Sequence, residues 1–317
     1  MNRFVLLPVM VLASFGLQAE SLDHWLDKMM QGVDARNYQG TLVIRQKDKM
    51  DALKVIHGRN EEGKWETLEF LSGEPRNVIR KDGKVTTIFP ERKLVTISQD
   101  MVHSPLHPQL PKNRELLKQY YNINLLGKGR IAGKDTQVLE MMPKDQYRYG
   151  FKFWLENETG LLLKCDMVDE NQNVIEQLMF SELSFLDQLP ATRIPEHADF
   201  QLIDLDRGRE IQTESNWYAR ALPEGFMLTQ NSIKPSFHGE GVVHHLVYSD
   251  GMASVSVFVE KQMPDKTSLM GVSNMGALNA YGQSINDYHV TVIGEVPIST
   301  VKLIGESVAQ TENAAQE

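Results

Sequence analysis

The chain has 317 residues, 41% of them hydrophobic and 24% charged, with a formal net charge of -9 at pH 7 and a single cysteine, Cys165. The composition is globular, the acidity argues against a general nucleic-acid binder, and one cysteine excludes an internal disulfide. The length exceeds that of one typical core and predicts two domains.

Residues 1–19 carry one early basic residue, Arg3, and then an apolar run from Phe4 to Leu17 interrupted by Pro8 and Gly16. That run is too short to span a bilayer. It reads as an export signal ending at Ala19, with a retained anchor as the alternative. No later stretch approaches eighteen consecutive apolar residues, so the chain from residue 20 onward is expected to be soluble and periplasmic.

Ser21 is placed to cap a helix in which Leu22, Trp25, Leu26, Met29, Met30 and Val33 share one face. Strands follow from Tyr38 at eight-to-twelve-residue spacing, with turn residues at Glu61–Gly63, Gly73–Pro75 and Lys81–Gly83. The rhythm is that of an antiparallel meander. Residues 101–113, MVHSPLHPQLPKN, break it with a Pro-rich loop, either a lid or a rigid crossover, ahead of a short helical run, NRELLKQYYN. His103 and His107 stand four apart, but Pro105 forbids the helix that a metal site at this spacing needs.

GKGRIAGKDT, from Gly127, lacks the spacing of a phosphate-binding loop and reads as glycine turns. From Tyr147 to Leu183 three strands are joined by two turns, Asn157–Gly160 and Asp169–Asn173. Tyr149, Phe151, Phe153 and Leu155 alternate with Gly150, Lys152, Trp154 and Glu156, the period of a strand with one buried face. Cys165, between Leu163 and Met167, reads as a buried structural thiol.

Alternation fades from Asp187 to Glu214, which reads as a linker. A second unit begins near Trp217. It contains a hairpin about Ser249–Gly251, a softer Gly- and Asn-containing segment over 271–287, a strand YHVTVIGEV, and a terminal helix after Pro297 with Val301, Ile304 and Val308 on one face. The organisation is then a signal (1–19), a large N-terminal domain (20–190), a linker (191–214), a small α+β domain (215–308) and a flexible tail (309–317). No nucleophile elbow is present, and His244 and His245, neighbours in a strand, point to opposite faces. Nothing points to catalysis, a cofactor or a metal; a hydrolase with carboxylates gathered from distant turns stays open.

The ordered set Leu110-Pro111, Tyr120-Tyr121, Gly129-Arg130-Ile131-Ala132, Arg148-Tyr149, Trp154-Leu155-Glu156, Thr159-Gly160-Leu161, Glu176-Gln177, Leu222 to Phe226, Tyr248 to Gly251 and Val292 to Pro297 resembles the MucB/RseB family of periplasmic envelope-stress regulators. The likeness spans nearly the whole chain after residue 19. It implies a mainly β fold with some α: a large incomplete antiparallel β-barrel covered by helices, similar to lipoprotein carriers, followed by a smaller α+β domain. It also implies binding to the periplasmic part of an RseA/MucA-like anti-sigma factor, which is thereby shielded from proteolysis, and release by lipid or lipopolysaccharide. A lipid or lipoprotein carrier without a signalling role is the alternative, and self-association into a homodimer stays open.

A meander with one apolar face under a helix and a Pro-rich loop can leave a groove for acyl chains, each buried methylene contributing about 0.8 kcal/mol. The expected lining is Tyr38, Leu42, Ile44, Phe70, Ile88, Tyr149, Phe151 and Phe153. Arg76, Arg80, Lys81, Lys84, Arg92 and Lys93 are the expected contacts of an anionic head group, or else a solvated edge that discourages strand pairing.

Overall fold

A computed structural model describes residues 21–61, 63–99, 114–190, 199–205, 212–213, 215–236, 241–263 and 268–311. The expected export signal, the Pro-rich loop with His103 and His107, and most of the expected linker lie outside the described residues. Among the described residues, no helix is long and apolar enough to cross a membrane.

The first helix, α1 (Leu22–Ala35), starts where Ser21 accepts a hydrogen bond from the His24 amide at 3.2 Å. A meander follows: β1 (Asn37–Gln46), β2 (Lys49–Asn60), β3 (Gly63–Phe70), β4 (Asn77–Lys81), β5 (Lys84–Phe89) and β6 (Leu94–Gln99). After α2 (Arg114–Tyr120) come β7 (Tyr121–Ile131), β8 (Lys134–Pro143), β9 (Gly150–Glu156), β10 (Leu162–Val168), β11 (Val174–Leu186) and β12 (Gln201–Asp204). These form one twelve-stranded sheet in the order β12-β6-β5-β4-β3-β2-β1-β11-β10-β9-β8-β7. Its ends, β12 and β7, do not pair, so the barrel is open.

The central join is β1 against β11, with Tyr38 opposite Phe185 and Leu42 opposite Phe180. This register settles the face of β11 that alternation alone leaves undecided: Leu178, Phe180 and Leu183 turn into the core with Tyr38, Leu42, Leu53, Val55 and Leu163. A second cluster forms where α1 and α2 lie on β7 to β10, with Trp25, Leu26, Met29 and Leu117 against Leu139, Met141, Phe153 and Leu155. Met30, expected on the buried face of α1, is exposed, whereas Gly32 is buried. A Cβ at Gly32 would overlap the backbone of Gly160, which itself has φ +76° in the turn between β9 and β10. The absence of two side chains lets the helix sit directly on that turn.

Three further expectations change. Gly127 and Gly129 lie inside β7, and the hairpin turn falls at Ala132 and Gly133, which adopt φ 46° and 76° between Ile131 and Lys134. Part of the expected linker is strand, since β12 pairs parallel with β6 and β13 (Gln212–Thr213) joins the second sheet. Tyr149 precedes β9 rather than continuing its alternation, because residues 144–149 form an irregular loop.

The small lobe contains β14 (Trp217–Ala219), β15 (Met227–Pro235), β16 (Val242–Ser249), β17 (Ser254–Lys261), β18 (Gly271–Met275), β19 (Leu278–Ile285), β20 (Tyr288–Gly294), α3 (Ile298–Ser307) and β21 (Val308–Gln310). Its main sheet runs β13-β15-β16-β17-β20-β19-β18. The soft segment over 271–287 is thus the hairpin β18–β19, whose Gly and Asn residues mask its strand character in sequence. Val301 and Ile304 of α3 pack with Trp217, Leu246, Val257 and Val292, each such burial contributing roughly 1.5–3 kcal/mol. Pairing of β21 with β14 extends through Gln310, past the point where sequence alone starts the tail.

Candidate functional site

Two regions are candidates for a functional site: the apolar interior of the large lobe and the seam between the lobes. The interior receives most of the expected lining, but in separate places. Tyr38 and Leu42 are fully buried in the β1–β11 core, with Ile44 and Phe70 half-buried at its margin. Phe153 is fully buried in the cluster under α1, with the half-buried Phe151 stacked on it at 5.6 Å. Ile88 is buried on β5, and Tyr149 lies at the seam. Within this lining Ile44, Phe70 and Phe151 are half-buried, while Tyr38, Leu42, Ile88 and Phe153 are buried against the chain's own side chains.

The expected head-group residues are heavily committed within the molecule. Arg76 stacks its guanidinium 3.8 Å from the Phe70 ring, and Arg92 grips Glu74 with both arms of its fork, at 2.5 and 2.8 Å. Lys93 pairs with Asp199 at 3.2 Å. Arg80 lies 3.4 Å from the buried carboxylate of Glu66, which also faces His57. His57 in turn stacks on Tyr38 at 5.0 Å and lies 3.6 Å from Asp34 at the end of α1. Burial pushes the Asp34 carboxyl up, but the hydrogen bond and charge of Lys64, with His57, outweigh it and leave the group below its usual range. Lys81 and Lys84 flank the β4–β5 hairpin, Lys84 exposed. Only Arg76 stands beside the half-buried apolar margin.

The seam is polar and densely bonded. Arg148 is buried, and its Nε donates to Asp250 Oδ2 at 2.5 Å. Its other nitrogens donate to the Asp145 carboxylate and the Glu224 carbonyl. The guanidinium lies 4.6 Å from the Tyr120 ring centre and 5.1 Å from that of Phe226. Gly225, at φ +84°, brings the turn against Tyr120, where a Cβ would collide with the ring. Burial, with the Asp250 charge adding to it, drives the nearby Tyr121 phenol well above its ordinary range. Beside this cluster a cleft of about 560 Å³ is walled by both lobes, with Met142, Tyr149 and Asp169 on one side and Asn274, Asn279 and Ile298 on the other.

Among the described residues, no group of three or more His, Cys, Asp or Glu side chains could hold a metal. His244 meets the Ser215 hydroxyl at 2.9 Å, while His245 stacks on Phe258 at 4.4 Å.

Sequence reasoning singled out Arg148 and Asp250 as parts of an ordered motif set but gave them no role. The available signal was an arginine set among tyrosines just after Asp145, and an Asp-Gly turn with an acid to spare. They stand 102 positions apart, and their meeting is not periodic in either segment.

Two family models match this chain, one described as the MucB/RseB N-terminal domain over residues 21–198 and one as the MucB/RseB C-terminal domain over residues 211–309. The chain is 27% identical over 316 residues to the sigma-E factor regulatory protein RseB of Haemophilus influenzae, covering 96% of this chain and 97% of the relative. It is 29% identical over 308 residues to the sigma factor AlgU regulatory protein MucB of Pseudomonas aeruginosa, covering 94% of each. Among solved structures, MucB in complex with MucA(peri) superposes with a TM-score of 0.72 at 26% identity, over 92% of this chain and 99% of that one. A crystal structure described simply as MucB superposes at 0.62, with 28% identity and 91% and 97% coverage.

Proposed function

Because this chain belongs to the MucB/RseB family, we propose that it is an exported, periplasmic regulator that binds the periplasmic region of a membrane-bound anti-sigma factor and shields it from regulated proteolysis. The observation that carries this reading is the superposition of both lobes on MucB in complex with MucA(peri), over 92% of the chain. Residues 1–19 are the export signal in this reading.

Lipid or lipopolysaccharide acts as the releasing ligand. The half-buried Ile44 and Phe70 at the edge of the β1–β11 core support this half of the proposal, with Arg76 beside Phe70 as the cation for an anionic head group. Tyr38 and Leu42 lie deeper in the same core, while Phe151 and Phe153 belong to the separate cluster under α1.

The test uses the purified chain from residue 20 and a tagged periplasmic fragment of the anti-sigma factor encoded beside it. Retention at micromolar concentration, and release on adding lipopolysaccharide, is the expected result. Absence of retention overturns the regulator and favours a lipid carrier. Retention that lipopolysaccharide leaves unchanged removes the sensing half and keeps the shielding half.

A further inference from the structure

The seam is organised around a single stretch of the large lobe, residues 146–149. Ser299 Oγ donates to the Gln146 carbonyl and Thr300 Oγ1 to the Tyr147 carbonyl, each at 2.7 Å. Arg148 reaches Asp250 and the Glu224 carbonyl, and the Tyr149 hydroxyl accepts from Asn279 Nδ2 at 2.9 Å. Four consecutive residues are thus held by four different parts of the small lobe: the N-terminal turn of α3, the β16–β17 turn, the turn before β15, and β19.

Arg148 differs from its neighbours in what it demands. A buried ion pair is weak evidence for added stability, because desolvating both charges offsets their attraction. A guanidinium fork is nonetheless strict about direction, since its planar donors reach several acceptors in one geometry only. Asp145 and Tyr120 belong to the large lobe, and Asp250, Glu224 and Phe226 to the small one. Rotating one lobe against the other would break the fork and leave a buried cation with one of its three acceptors, Asp145.

We propose that Arg148 is a positioning residue for partner binding: its fork sets the angle between the lobes, and a partner touching both lobes is held only at that angle. This rests on the functional reading above. The two-walled cleft beside the fork has a width that the same angle determines.

Asp250→Asn is the decisive variant. The retained Oδ1 still accepts from the Met252 and Ala253 amides, at 2.9 and 2.8 Å, so the turn stays folded while an amide replaces the acceptor facing Arg148. Solution scattering of the full chain is expected to show a broader spread of lobe separations than in the wild type. Affinity for the anti-sigma fragment falls about tenfold if the set angle drops to a tenth of the population. A bis-maleimide joining Gln119→Cys and Glu224→Cys in the same variant should restore binding. Those two side chains are hydrogen-bonded across the seam at 3.0 Å, and the half-buried Cys165 is changed to Ala throughout so that only the introduced pair reacts. Scattering that superimposes on the wild type overturns the proposal, whether or not binding changes, as does a cross-link that restores nothing. If the wild-type chain captures no fragment, the functional reading fails, and scattering alone decides whether Arg148 sets the lobe angle.

Discussion

The interior under α1 and the seam between the lobes are both buried, yet they are built from opposite materials. The interior is aliphatic and aromatic, non-directional, and tolerant of rearrangement at its half-buried margins. The seam is a set of directional bonds to one arginine and three backbone or hydroxyl neighbours. Apolar packing of the first kind can give way to another apolar surface with little loss. A guanidinium fork cannot, so the seam is where this molecule defines a single arrangement.

Four substitutions sharpen that contrast, beginning with the largest effect. Phe153→Ala should lower the large-lobe stability by about 3–5 kcal/mol in urea titrations, since the ring is fully buried under α1. A loss below about 1 kcal/mol would mean that the interior is not packed as described. Arg148→Met should remove about 3 kcal/mol and, unlike the first variant, split unfolding into two transitions as the lobes uncouple. A single transition merely shifted downward would assign Arg148 to one lobe's stability rather than to the coupling.

Gly32→Ala should cost roughly 1–3 kcal/mol, because the new Cβ must push α1 off the Gly160 turn. Unchanged stability would place the helix farther from the sheet. The smallest effect concerns His245, whose pKa is lowered from 6.5 to about 4 by burial first and by Lys234 second. A depressed histidine pKa means that the unfolded chain takes up the proton first, so stability is present above pH 6.5 and is lost as pH falls toward 4. Screening at this half-buried ring limits the effect to about 1 kcal/mol. His245→Gln should flatten the small-lobe stability over that range, and an unaltered pH profile would show that the ring is solvated in the folded state.

Much of the fold was legible because it rests on local rules. Ser21 as a cap, the period-two runs of β9, β16 and β20, and the helix after Pro297 are all encoded within a few residues of themselves. What local rules could not supply was pairing at a distance. The face of β11 is fixed by β1 and β10, more than a hundred residues of chain away in the case of β1. Met30 and Gly32 exchange roles because the helix needs a close approach at Gly160, which hydropathy does not record. The β18–β19 hairpin was hidden by its Gly and Asn content, residues depleted from strands in general but acceptable beside an exposed edge. Arg148 was visible as a residue, but its partners were not.

The proposal that both lobes together hold an anti-sigma factor is tested most directly by calorimetric titration of the partner's periplasmic fragment into the whole chain from residue 20. Saturable binding at micromolar concentration or tighter is expected, weakened in Asp250→Asn and recovered when the lobes are cross-linked. Absence of binding heat and of retention by the wild-type chain would contradict it.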